Sequence, residues 1–198
     1  MKLSVLLYIL FNTALAQAQN LPVFVSDSTH SSEIDSFVFS KIKTKYNYLI
    51  SYTAECYWPT EQLFYVLVHN TDKWKFYRLK VKFKSQDKTI DNILSTSKKK
   101  KRIKDDKLDS LFNYWTEVHF WELENDLLNY PGRGIEDDKL IYIGSTDGCS
   151  DKFEVITKDK HNKFEIYNVD EFQKEYPSSQ RESFILGRNK FYQITKEK

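Results

Sequence analysis

Apolar and polar positions alternate most clearly between Asp138 and Asn168. Three short runs there, residues 140–143, 153–156 and 164–167, have period two, and turn chemistry separates them, STDGCSD first and KDKHN second. Period two is the pattern of a half-buried strand, so this stretch predicts a three-stranded antiparallel meander. Residues 47–56 (NYLISYTAEC) have a β-rich composition, which Pro59 interrupts because it has no N–H for a central ladder. Residues 63–68 are continuously apolar, as in a strand buried on both faces. After a turn at 70–73, the pattern alternates again over 74–83, with a phase slip near Tyr77 and Arg78 that a bulge would explain. Residues 63–83 therefore predict a hairpin with one lysine-rich face in water.

Helical spacing is clearest at Leu108, Leu111, Phe112, Trp115 and Val118, one apolar stripe at i, i+3, i+4, i+7 and i+10. It predicts an amphipathic helix over 106–118, with Asp105 or Asp106 as its N-cap. Proline and two glycines make 129–134 a loop. Short helices are expected at 170–176 and 179–190, separated by Pro177, with Gly187 weakening the second. Residues 33–46 fit two patterns: Ile34, Phe37, Val38 and Ile42 suit a helix capped by Ser31 or Ser32, while Phe37-Val38-Phe39 suits a strand. The strand is the expectation taken. Residues 21–32 read as an extended arm. Residues 85–104 form the loosest region, and the basic run Lys98 to Arg102 reads as a solvated loop, although such runs also bind heparin-like polymers, nucleic acid or anionic lipid.

The sum is an α+β domain. A mainly antiparallel sheet of about six or seven strands packs against one amphipathic helix and short C-terminal helices. Its expected core is Phe112, Trp115, Trp121, Phe153, Val155, Phe164 and Ile166.

The chain begins with Lys2, a nine-residue apolar run and two small-x-small sites, Ala14-Leu15-Ala16 and Ala16-Gln17-Ala18. This is the pattern of a secretory signal peptide, too short for a membrane span. Residues 1–18 are thus expected to be removed, after Ala16 or Ala18, leaving residues 19–198 as one secreted or periplasmic domain. Nothing beyond residue 20 is long and apolar enough to span a bilayer. An oxidising compartment permits Cys56 and Cys149, the two cysteines present, to pair; two separate buried thiols are the alternative.

Net charge is +2, which argues against a strong general field toward nucleic acid. Aromatic residues are 16% of the chain, enough to cover a sugar or peptide ligand, although a compositional bias of the whole chain would produce the same figure. His30, His69, His119 and His161 occupy no recognised metal pattern; His119 reads as an exposed helix-end residue. A catalytic Cys149–His161 pair would need the last two meander strands to bring them together. Asp147, Asp151 and the run Glu136-Asp137-Asp138 supply oxygens for calcium but lack the DxDxDG loop. No catalytic, metal or cofactor site is assigned.

A helix leading into Phe120-Trp121-x-Leu123, followed by Asp147-Gly148 and the strands at Phe153-Glu154-Val155 and Phe164-Glu165-Ile166-Tyr167, and closed by Tyr176-Pro177, resembles small exported bacterial proteins with an aromatic-Trp-x-Leu segment and an Asp-Gly hairpin. The resemblance covers the C-terminal half. It implies a fold type and a compartment, not a reaction. The functional expectation is an exported, non-enzymatic binding protein with a protein or glycan partner. Its alternatives are a hydrolase whose site is dispersed over loops, using His119 or His161 with carboxylates, and a structural or secretion-associated accessory protein.

Overall fold

The computed structural model describes residues 31–70, 73–130 and 148–196. The expected signal peptide, His30, the first meander strand at 140–143 and the carboxylates at 136–138 and 147 lie outside them. In order, the described elements are α1 (Glu33–Ser40), β1 (Tyr48–Cys56), β2 (Glu61–Asn70), β3 (Lys73–Phe83), β4 (Ile93–Lys101), α2 (Asp105–Glu117), α3 (Asn125–Asn129), β5 (Cys149–Thr157), β6 (His161–Tyr167), α4 (Val169–Glu175) and α5 (Ser179–Lys196). The fold is α+β. Six strands form one open antiparallel sheet in the order β4-β3-β2-β1-β5-β6.

Helices cover both faces of this sheet. On one face Tyr48, Ile50, Tyr52, Phe76, Phe153 and Phe164 pack against α2, α4, α5 and the turn at Phe120–Glu122. On the other, Leu49, Phe64, Val66, Tyr77, Leu79 and Val81 pack against Val38, Phe39 and Ile42 at α1. Burial on both faces explains the continuous apolar run of β2. It also explains the phase slip at Tyr77: the β2–β3 register runs unbroken through it, so no bulge is present there. Phe76 and Tyr77 are both buried because each face has its own helix layer. The irregularity in this region falls instead between Lys82 and Phe83, where β3 pairs with β4.

The structure corrects three further expectations. Residues 33–40 are a helix, not a strand: Ser32 Oγ accepts from Asp35 N–H at 3.1 Å, and Glu33 and Asp35 lie in the first turn, where the helix dipole favours them. Lys98 to Lys101 of the basic run are not a loop but the end of β4, an edge strand exposed along most of its length, and Arg102 follows it. The N-cap of α2 is Lys104, without a side-chain cap, and Asp105 and Asp106 occupy its first turn. The expected core residues are buried except Phe112, which is half-buried and packs on Trp74 with ring centroids 5.2 Å apart.

Gly187, expected to weaken the helix it stands in, lies inside α5 and makes room for a close packing contact. A Cβ there would lie 2.1 Å from the Phe120 ring. The bare backbone lets Phe120 stack on Trp115, at 4.4 Å between centroids, and leaves the Gly187 carbonyl to accept from Trp115 Nε1 at 2.9 Å.

Candidate functional site

β1 and β5 run side by side with Cys56 opposite Cys149, and the two cysteines form a disulfide with Cα atoms 4.1 Å apart. The bond closes a span of 93 residues. In the chain-entropy model this contributes at most about 4–5 kcal/mol. It also ties together the end of the sheet where the aromatic helix layer stops.

At that end lies a cleft of about 740 Å³, with Tyr52 and Ala54 from β1, Asp151 from β5, Asp170 and Glu171 from α4 and Arg188 from α5 along its walls. Strand alternation turns Asp151 toward this face. Its carboxylate accepts from the Tyr52 hydroxyl and, at 2.8 Å, from Arg188 Nη1. Arg188 also reaches both Asp170 oxygens, at 2.9 and 2.8 Å, and Tyr192 donates to the Tyr52 hydroxyl at 2.8 Å. Burial alone would lower Arg188, but Asp170 and Asp151 hold its pKa above the ordinary value. Burial and the Asp151 charge push Tyr52 far above the usual phenol range. Arg188 and Tyr52 are thus committed to structure: one stays charged, the other neutral. What remains open to a ligand is carboxylate and amide chemistry. Asp170 keeps 63% of its side-chain surface exposed, and Glu171, Glu175, Asn168 and Asn189 share the cleft walls. Asp151, a candidate calcium ligand in the sequence, is instead held by Arg188 and Tyr52. Among the described residues no group of three His, Cys, Asp or Glu side chains is arranged to hold a metal.

A second polar cluster occupies the opposite face. Lys152 Nζ lies 2.6 Å from Asp35 Oδ2 of α1, 3.9 Å from Glu154 Oε1 and 3.8 Å from Glu55. Glu154 Oε2 takes Ser31 Oγ–H at 2.8 Å and lies 2.8 Å from His161 Nε2. His161 therefore does join a carboxylate, as the hydrolase alternative requires. The arrangement is not a proton relay, however. A relay needs the serine on one ring nitrogen and the acid on the other; here Nε2 faces both, with Ser31 Oγ at 3.5 Å. Burial works most strongly on Asp35, but the Lys152 charge and the hydrogen bonds from Glu154, Lys152 and Ser32 together outweigh it, and the carboxyl stays below its usual range. Burial, assisted by the Asp35 charge, lifts Glu154 above its own, although His161 opposes this.

The remaining sequence candidates stand apart. His119 is exposed at the end of α2, 3.1 Å from Glu122. His69 packs beside Trp74. Cys149 and His161 do not meet: Cys149 pairs with Cys56 at one end of β5, whereas His161 is opposite Ile156 at the other. Sequence reasoning missed Arg188, Asp170, Tyr52, Asp35 and Lys152. One signal was available, the charges at 151, 152 and 154 inside an otherwise apolar strand, which require partners if the strand is buried.

No family model, curated protein or solved structure matches this chain.

Proposed function

We propose that this is an exported, non-enzymatic binding protein whose ligand sits in the cleft beside Cys56–Cys149. The observation that carries the reading is the division of labour in that cleft. Its cation and buried phenol are tied up internally, while Asp170, Glu171 and Glu175 stand on α4 along its wall. Carboxylates gathered in a concave site focus a negative potential, which favours a cationic ligand. The partner is then a protein segment bearing lysine or arginine. Tyr57 and Trp58, beside the disulfide, are 61% and 54% exposed and offer apolar surface near such a segment. The disulfide supports an oxidising compartment, in keeping with export.

Calorimetric titration with a short lysine- and arginine-bearing peptide tests this. The double variant Glu171→Gln/Glu175→Gln should weaken binding about tenfold at low ionic strength. Binding of neutral oligosaccharides that this variant leaves unchanged would transfer the site to a glycan. No binding of either class would end the cleft reading.

A further inference from the structure

The sheet face that holds the cleft continues past the helix layer toward β4. Register places Phe153, Tyr52, Tyr65, Arg78 and Lys99 opposite one another across five strands. The described helices cover this face as far as Tyr65 on β2, which packs against Tyr192 at 5.9 Å between ring centroids, and as far as Trp74 and Phe76 on β3. Past Phe76 this face of β3 carries Arg78, Lys80 and Lys82, and β4 carries Lys99 opposite Arg78 and Lys101 opposite Phe76. Among the described residues only one carboxylate enters this group: Glu61, 2.6 Å from Lys80 and 2.8 Å from Lys82. Lys82, Lys99 and Lys101 are exposed.

Edge protection accounts for part of this pattern. Lysines along an outermost strand deter other chains from pairing with it, and β4 is outermost. The opposite edge is closed differently: on β6, Asn125 Oδ1 accepts from Glu165 N–H and Asn129 Nδ2 donates to the Glu165 carbonyl, at 3.0 and 2.9 Å. Protection does not account for Arg78, Lys80 and Lys82, which stand on an interior strand. Together the two strands set two rows of cations about 4.8 Å apart, with about 6.8 Å between successive members of a row.

We propose that this bare β3–β4 face docks a linear anionic polysaccharide, held by Arg78, Lys80, Lys82, Lys99 and Lys101. Repeated anions on a chain match repeated cations on a flat surface, and Ser95 and Ser97, opposite Lys82 and Lys80, donate to sulfate, carboxylate or hydroxyl oxygens. Nucleic acid fits less well. Single strands are held by stacking on open rings, and Tyr65, the ring within this face, is only 7% exposed. A membrane surface would call for apolar anchors where this face has serines. The surface is separate from the cleft and carries the opposite charge, so the two readings stand or fall independently.

The test is the affinity of the protein for a sulfated oligosaccharide, with heparin–agarose retention as a second readout. Lys99→Glu/Lys101→Glu should weaken binding at least about tenfold, and raising salt from about 50 to about 200 mM should do the same to the native protein. Lys98→Glu/Lys100→Glu makes the same charge change on the other face of β4 and should cost less than about threefold. All four side chains are exposed, and circular dichroism checks that each variant is folded. Equal losses in the two pairs, absence of binding, or tighter binding to duplex DNA or anionic vesicles would overturn the proposal.

Discussion

On one face of β5, Asp151 meets Arg188; on the other, one residue along, Lys152 meets Asp35. Each cluster sets two carboxylates against one principal cation: Asp151 and Asp170 share Arg188, and Asp35 and Glu154 flank Lys152. They differ in where the surplus negative charge goes. Asp170 opens into the cleft with 63% of its side chain exposed, so water stabilises the excess. The side chains of Lys152, Asp35 and Glu154 are 4%, 1% and 1% exposed. No water reaches them to the same degree, and a proton does the work instead: Asp35 keeps the lysine and Glu154 holds its proton to higher pH. Charge can thus be left over at the margin of a fold, where a ligand can use it, but inside the fold it couples stability to pH.

Lys152→Met should break the contrast most severely. It leaves two sealed carboxylates without their cation, and urea unfolding should show a loss of about 3–5 kcal/mol. A loss below about 1 kcal/mol would mean that Lys152 is not what neutralises them. Arg188→Met should cost less, about 2–3 kcal/mol by the same measurement, because Asp151 keeps the Tyr52 donor and Asp170 is already hydrated.

Glu154→Gln sharpens the contrast through pH. Glu154 is faced by Asp35 from α1, Lys152 on its own strand, His161 from β6 and Ser31, and Glu55 of β1 reaches Lys152. A carboxyl raised on folding contributes stability below its ordinary value of 4.5 and loses it as pH rises through the folded value. The native protein should therefore lose stability relative to the variant above about pH 4.5, by up to about 1.4 kcal/mol per pH unit. Thermal midpoints followed toward neutral pH measure this, and a constant difference would show that Glu154 titrates normally. Asp35, lowered on folding, acts in the opposite sense: its contribution is present above its ordinary value of 3.8 and is lost as pH falls through the folded value. The smallest effect belongs to Asp170→Asn, below about 1 kcal/mol, since a hydrated partner contributes little.

Much of the fold was legible in the pattern of residues, and the reasons differ by element. Leu108, Leu111 and Trp115 announced α2 because one face meets the core and the other meets water. β6 showed its alternation for the same reason, whereas β5 alternates because its second face buries the charged Lys152 and Glu154 in place of apolar residues. β4 gave no such signal, because an edge strand wet along most of its length carries no periodic burial. At residues 33–40 the spacing suited both helix and strand, and the Ser32 cap together with the layer it covers decided between them. The disulfide was readable only as an option, since pairing depends on register and not on composition.

From sequence alone came the class of the fold, its best helix, its hairpins and the cysteines available for a bond. Tertiary structure decided where the polar residues of β5 point and whom they meet. Asp35 and Lys152 are 117 positions apart, and Asp151 and Arg188 are 37 apart. Periodicity records whether a position is buried, because burial acts on each residue through its own neighbours. It cannot record which helix lies above it. That choice, which turns one strand's charges into an open cleft on one side and a sealed cluster on the other, is made only when the layers pack.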